Sequence, residues 1–233
     1  GNDGRGEVVD DVSHTGRYSL KLSDREPNPG RSIFTEYETL DCDFEAGCGD
    51  PDVCDCISNF NPEGNKRYLL SFWLASDESL TFGDEISTGQ NQWQNNFHFS
   101  FRFANASGNF GSWNTFFPDD GPIIDGWQRI QADIVVPAGT SLVRISASPP
   151  GNLVTDTDYY IDDVRIQPFE SIMTTYVYDP GTLRLMAELD ENNYATFYEY
   201  DDEGQLIRVK RETDRGIMTV SEQHNNLGVT NNQ

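Results

Sequence analysis

Two acidic residues stand where the sequence is otherwise apolar. The segment Tyr159-Tyr160-Ile161-Asp162-Asp163-Val164-Arg165-Ile166 reads as a β-strand. Simple alternation puts Ile161, Asp163 and Arg165 on one face and Tyr160, Asp162, Val164 and Ile166 on the other. A carboxylate inside such a strand must be met by a cation or by several hydrogen-bond donors. Cation binding through hard oxygen ligands is therefore the first chemistry to consider. Sugar recognition is the second. It needs a flat aromatic ring for stacking and planar polar groups for hydroxyls, and Trp93, Trp113, His98, Arg102, Gln131 and Arg144 have those properties. Trp73 and Trp127 are read instead as core.

Four cysteines, Cys42, Cys48, Cys54 and Cys56, form the pattern C-x5-C-x5-C-x-C with no histidine close by. The spacing matches no zinc motif and reads as two disulfides stapling a surface loop, with a thiolate metal site as the alternative. Cys54 and Cys56 are too close to pair comfortably, so each is expected to reach back to Cys42 or Cys48. Oxidation would place the protein outside the cytoplasm. Enzyme chemistry finds little support. G-x-S-x-G, H-E-x-x-H and P-loop patterns are missing, and His14, His98 and His224 have no nucleophile partner by spacing. Carboxylates suited to a glycosidase are numerous, but none is singled out by context.

The elements that must position these groups are strands. Residues 7–22 read as strand, tight turn at Gly16, and strand, with Tyr18, Leu20 and Leu22 inward. A strand over 32–40 precedes the Asp-, Gly- and Pro-rich cysteine insertion, 41–65. Tyr68-Leu69-Leu70-Ser71-Phe72-Trp73-Leu74-Ala75 is apolar on both faces, as for a strand in the middle of a sandwich. Phe97, Phe99, Phe101 and Phe103 alternate with His98, Ser100 and Arg102, which predicts a buried aromatic face and a polar face that is exposed or lines a groove. A loop over 105–126 carries Phe110, Trp113, Phe116 and Phe117. Strands over 128–136 and 142–147 follow, and no helical period is evident. Short strands separated by turn residues predict an all-β, antiparallel β-sandwich of jelly-roll type.

Composition narrows the partners. The 233 residues carry 39 acidic and 16 basic side chains, a net charge of −23, and the pI is near 4.2. Nucleic acid is excluded as a partner by repulsion. The charge suits an extracellular surface that can hold divalent cations. No run of 18 apolar residues suggests a membrane span. The chain opens at Gly1 with neither Met nor signal peptide, so a processed product or a fragment of a larger protein is expected.

Several motifs carry a resemblance. His14-Thr15-Gly16-Arg17-Tyr18-Ser19-Leu20-Lys21, Tyr68 to Leu74, Gly126-Trp127-Gln128-Arg129 with Val136-Pro137-Ala138-Gly139, and Tyr160-Ile161-Asp162-Asp163-Val164 resemble, in that order, the jelly-roll carbohydrate-binding modules of galactose-binding-like type. The resemblance covers about 5–168. It implies a structural calcium between the first hairpin and the closing strand. Asp162 would supply a carboxylate, the Arg17 region a backbone carbonyl, and Asp3 or Glu7 further oxygens. After Pro168, Tyr176-Val177-Tyr178-Asp179 and Tyr198-Glu199-Tyr200-Asp201 repeat one pattern 22 residues apart. This looks like the YD repeat of bacterial RHS-type surface proteins, each unit a β-hairpin.

The resulting expectation is a jelly-roll domain over 1–169, a small C-terminal appendage of YD-type β-hairpins over 170–220, and a flexible tail or linker over 221–233. The expected function is non-catalytic: glycan binding or adhesion by a secreted or cell-surface bacterial protein. The competing reading is a structural or docking module of a larger surface assembly, whose partner is another protein and which has no glycan ligand.

Overall fold

The computed structural model describes residues 6–23, 33–38, 63–82, 97–116, 121–148 and 157–223, with only the backbone of 33–38. The cysteine insertion, Asp3 and Trp93 lie outside the described residues, so the expectations placed on them do too.

Elements are numbered in chain order. One antiparallel sheet has the spatial order β1 (Gly6–Val9), β2 (Ser19–Ser23), β10 (Asp158–Pro168), β4 (Arg67–Ser76), β8 (Trp127–Val135), β7 (Ile123–Ile124). A second runs β3 (Ile33–Glu38), β9 (Thr140–Ser148), β5 (His98–Asn105), β6 (Asn114–Phe116). Alternate residues of the two sheets meet in one core that includes Leu22, Leu70, Phe72, Leu74, Phe97, Phe99, Ile130, Ile134, Val143, Ile145, Tyr159 and Ile161. This is the expected antiparallel β-sandwich. The Phe97/Phe99 face is buried as alternation predicts, with Phe101 and Phe103 packed partly against the core.

A third sheet is a five-stranded meander: β11 (Thr175–Tyr178), β12 (Leu185–Leu189), β13 (Ala195–Tyr200), β14 (Leu206–Thr213) and β15 (Gly216–Glu222). It packs on the outer face of the six-stranded sheet, around Trp73, Ala75, Ile124, Trp127, Tyr160 and Tyr194. Strand β4 is therefore apolar on both faces because two different layers cover it. Three of the four turns of the meander share one device. Asp179, Asp190 and Asp201 follow each other at 11-residue intervals. Each side chain accepts hydrogen bonds from backbone N–H groups of its own turn: Gly181 and Thr182, Asn192 and Tyr194, and Gln205. An Asx-type turn closes each of these three hairpins, whereas in the β14–β15 turn the Thr213 hydroxyl donates to the Gly216 carbonyl and accepts the Arg215 amide. The 22-residue repeat seen in the sequence spans two such strand-and-turn steps.

Four expectations need correction. Strand β10 does not keep simple alternation. Asp162 pairs with Trp73 but Arg165 pairs with Ser71, so two residues of β10 oppose one of β4. The extra residue is accommodated at Asp163, whose φ is 48°, in the left-handed region that aspartate tolerates better than most residues. The bulge turns Arg165 to the same side as Asp162, returns Ile166 to the core side, and leaves Val164 59% exposed. Tyr18 is 47% exposed rather than inward, because it lies in the β1–β2 connection and not in the strand. A six-residue helix, α1 (Asp77–Phe82), is present. It is too short to show a period and is closed by reciprocal bonds between Ser76 and Ser79. Strand β15 runs to Glu222, and the Gln223 amide donates to the Ile207 carbonyl, so order extends past the boundary expected at residue 220. No helix among the described residues is long and apolar enough to cross a membrane.

Candidate functional site

The acidic pair is met by hydrogen-bond donors of the protein itself. Asp162 Oδ2 accepts the backbone N–H groups of His14 at 2.8 Å and Thr15 at 3.3 Å, and its Oδ1 accepts the Asp163 amide at 2.7 Å. Asp163 receives the Thr15 hydroxyl at 2.7 Å and lies 2.6 Å from His14 Nδ1. The other ring nitrogen, His14 Nε2, is 2.9 Å from Glu212 on β14. The second oxygen of Glu212 accepts the Ala195 amide at 2.9 Å. The imidazole stacks on Trp73 with centroids 4.1 Å apart and planes at 17°.

Burial by itself would depress the His14 pKa. The hydrogen bonds and charges of Asp163 and Glu212 outweigh it and raise the value to about 9, so His14 is an imidazolium that donates from both nitrogens. Burial and the neighbouring Asp163 charge lift Asp162 to about 6, against the backbone amides that favour its ionised form. His14 thus joins the first hairpin, the closing strand and the meander at one buried point. It was not found in the sequence because its partners lie 149 and 198 residues away.

The β12–β13 turn completes this junction. Trp73 Nε1 donates to the Asn193 carbonyl at 2.7 Å. Arg129 reaches the Asn192 carbonyl. Arg165, turned outward by the bulge, donates to Leu189 and Asp190 carbonyls at 3.0 and 2.6 Å. Beside the junction, the sandwich and the meander leave a cleft of about 610 Å³ lined by Ser13, Ile124, Asp125, Phe197, Lys210 and Ile217.

The calcium set implied by the resemblance does not fit these contacts. The lone pairs of Asp162 face N–H hydrogens, which a cation would have to displace. The Arg17 side chain is directed at Asp10 in an exposed pair, Nη2 to Oδ2 3.7 Å, a contact that does not bear on its backbone carbonyl. Glu7 sits on the edge strand opposite Lys21, whose partner across the sheet is Tyr160, not Asp162. Among the described residues no group of three or more His, Cys, Asp or Glu could hold a metal ion.

The sugar candidates divide. Arg102 on β5 and Arg144 on β9 are direct cross-strand partners on the outer face of the four-stranded sheet. The β5–β6 hairpin loop folds back over them. Asn105 Oδ1 accepts the Ser107 and Asn109 amides, and Gly111 bonds to the Phe103 carbonyl. This brings the Phe110 ring within 4.4 Å of both guanidinium carbons. The Arg102 guanidinium carbon also lies over the Trp113 ring, 4.4 Å from its centroid, and Trp113 is 38% exposed. Along the same face a row of hydroxyls, Ser100, Thr115 and Ser146, lies between this cluster and His98. Burial pushes the His98 pKa down, which favours the neutral ring. Gln131 is on β8 in the other sheet and lines a separate groove with Asn114, Thr115 and Asp133. Trp73 and Trp127 are buried, as expected.

No family model matches the chain, and no curated protein matches it in sequence. Solved structures similar to it include carbohydrate-binding modules. One is a family 16 carbohydrate-binding module, at 11% identity and TM-score 0.40, covering 71% of this chain and 86% of that one. Another is the CBM22-1–GH10 part of Clostridium thermocellum endo-1,4-β-D-xylanase 10B, solved with xylohexaose, at 13% identity and TM-score 0.42, covering 73% and 25%. A similar structure of another kind is the enzymatically active domain of bacteriophage CBA120 tailspike protein 4, at 13% identity and TM-score 0.44, covering 71% of this chain. The chain spans only 18% of that tailspike domain.

Proposed function

We propose that the chain is a non-catalytic recognition module that binds glycan on the outer face of its four-stranded sheet, at or beyond a bacterial cell surface. One observation carries this reading: the partly exposed indole of Trp113 beside the guanidinium of Arg102, 4.4 Å away. The guanidinium lies over the ring, so an aromatic surface and a planar donor for ring substituents are brought together at one point beside β5. Of the hydroxyl row on the same face, Ser100 and Ser146 are buried, so only the exposed Thr115 is open to a further polar contact. The test is a glycan array probed with the full chain and with Trp113→Ala. Binding that the substitution removes without lowering the melting temperature supports the proposal, and no signal on any glycan overturns it.

The second reading, a structural module of a larger assembly, is favoured by the junction at His14. Burying an imidazolium between two carboxylates of different layers serves cohesion, not ligand exchange. On that reading the sandwich and meander unfold as one unit under force, and the glycan array is silent.

A further inference from the structure

We propose that the outer face of the meander is a self-association surface, on which a second copy of this chain seats face to face about a two-fold axis along β13. The sheet's register defines one row across all five strands. Tyr176, Glu188, Thr196, Arg211 and Met218 are successive cross-strand partners. Their chain neighbours point to the other side: Ala187, Leu189 and Ala195 are buried, while Phe197, Lys210, Glu212, Ile217 and Thr219 line the cleft beneath the sheet. Alternation therefore turns the row away from the sandwich. At its two ends Tyr176 is 52% and Met218 60% exposed. Tyr198 joins the same face, donating its hydroxyl to Glu188 at 3.3 Å.

The row is self-complementary. In a chain of net charge −23 it holds one acid, Glu188, and one base, Arg211. The neighbouring cations of β14, Arg208 and Lys210, are paired with Glu199 and Glu222. Arg211 is exposed and has no ion-pair partner among the described residues. Strands lie about 4.8 Å apart, so Glu188 and Arg211 flank Thr196 at equal distances on either side. A two-fold axis along β13, midway between two such faces, sets Glu188 of each copy against Arg211 of the other. The same operation sets Tyr176 against Met218, twice. Sheets stack about 10 Å apart, which side chains of this length fill, and the pairs nearest the axis are least displaced by the rotation of about 30° that sheet twist imposes. An order of acid, centre and base that matches its own two-fold image argues for a second copy over an unrelated partner. The face spans about 20 Å in each direction, on the order of 400 Å² per copy, so the dimer is weak and reversible.

The experiment is sedimentation velocity of the full chain at physiological salt, from about 5 to 500 µM, the range that suits an interface of this size. The expected result is a reversible monomer–dimer equilibrium. Arg211→Glu puts a carboxylate against Glu188 at both symmetry-related contacts and should weaken the dimer about tenfold or more, as should Glu188→Arg. The double variant Glu188→Arg/Arg211→Glu restores both pairs with their signs exchanged and should return the dimer to within a few-fold of wild type, a rescue that general destabilisation does not produce. Where a single variant folds poorly, Met218→Lys gives the same reading through the Tyr176 contact. Trp113→Ala should associate as the wild type does, which separates this surface from the glycan-binding reading. A monomer at every concentration overturns the proposal. So does a dimer that the single variants leave intact, or one that the double variant fails to recover.

Discussion

Raising the pH should weaken the junction between sandwich and meander, and the size of the effect follows from His14. Its pKa moves from 6.5 to about 9 on folding, so the native state binds one proton more tightly than the unfolded chain. A raised pKa contributes stability that is complete below about pH 6.5 and is lost as pH rises through 9. The shift corresponds to about 3 kcal/mol, lost at about 1.4 kcal/mol per pH unit across that window. Asp162, lifted from 3.8 to about 6, acts in the same direction at lower pH. Its ionisation between about pH 4 and 6 costs the native state stability, and above 6 its effect is constant. The assay is urea unfolding at pH 6.5, 7.5, 8.5 and 9.5 for the wild type and for His14→Gln, which keeps hydrogen-bonding groups but cannot titrate. The wild type should lose stability steadily over this range, and the variant should show a markedly flatter profile from a lower starting value. Parallel profiles for the two proteins would refute the assignment of a charged His14 at this contact.

Three further outcomes follow from the same geometry. Gly16→Ala should lower stability by about 1–3 kcal/mol, because Gly16 has φ +65° and an added Cβ would sit 2.7 Å from Val177 Cγ1; thermal melting checks it, and an unchanged midpoint would contradict the close approach of meander to loop. Arg165→Ala should cost about 2 kcal/mol or more by stripping donors from the buried Leu189 and Asp190 carbonyls, read as faster protease cleavage between the sandwich and the meander. Chelation by EDTA should shift the melting of wild type and Asp162→Ala equally; a wild-type fall that Asp162→Ala abolishes would return a cation to this strand.

What the sequence revealed and concealed has physical reasons. Alternation at Phe97, Phe99, Phe101 and Phe103 was legible because one face of β5 meets a core and the other does not. The two-sided apolar character of β4 was legible as burial, but not as burial under a separate sheet. Strand β10 misled because one inserted residue reverses every face that follows it, and Asp163 carries no sign of its left-handed backbone. His14 appeared to lack partners because spacing along the chain says nothing about partners brought together by folding. The spacing of Asp179, Asp190 and Asp201 was available as an 11-residue rhythm, although only its double was read. Arg102 and Arg144 were both named as sugar contacts. Their pairing came from strand register, and the closure of Phe110 over them from loop bonds centred on Asn105.

The most direct test of the recognition surface is a crystal structure of the chain bound to an oligosaccharide selected on the array. The sugar should lie against Trp113 with an oxygen substituent within hydrogen-bond distance of Arg102. A sugar seated instead in the cleft between Ser13 and Lys210, or on the outer face of the meander, would contradict the account.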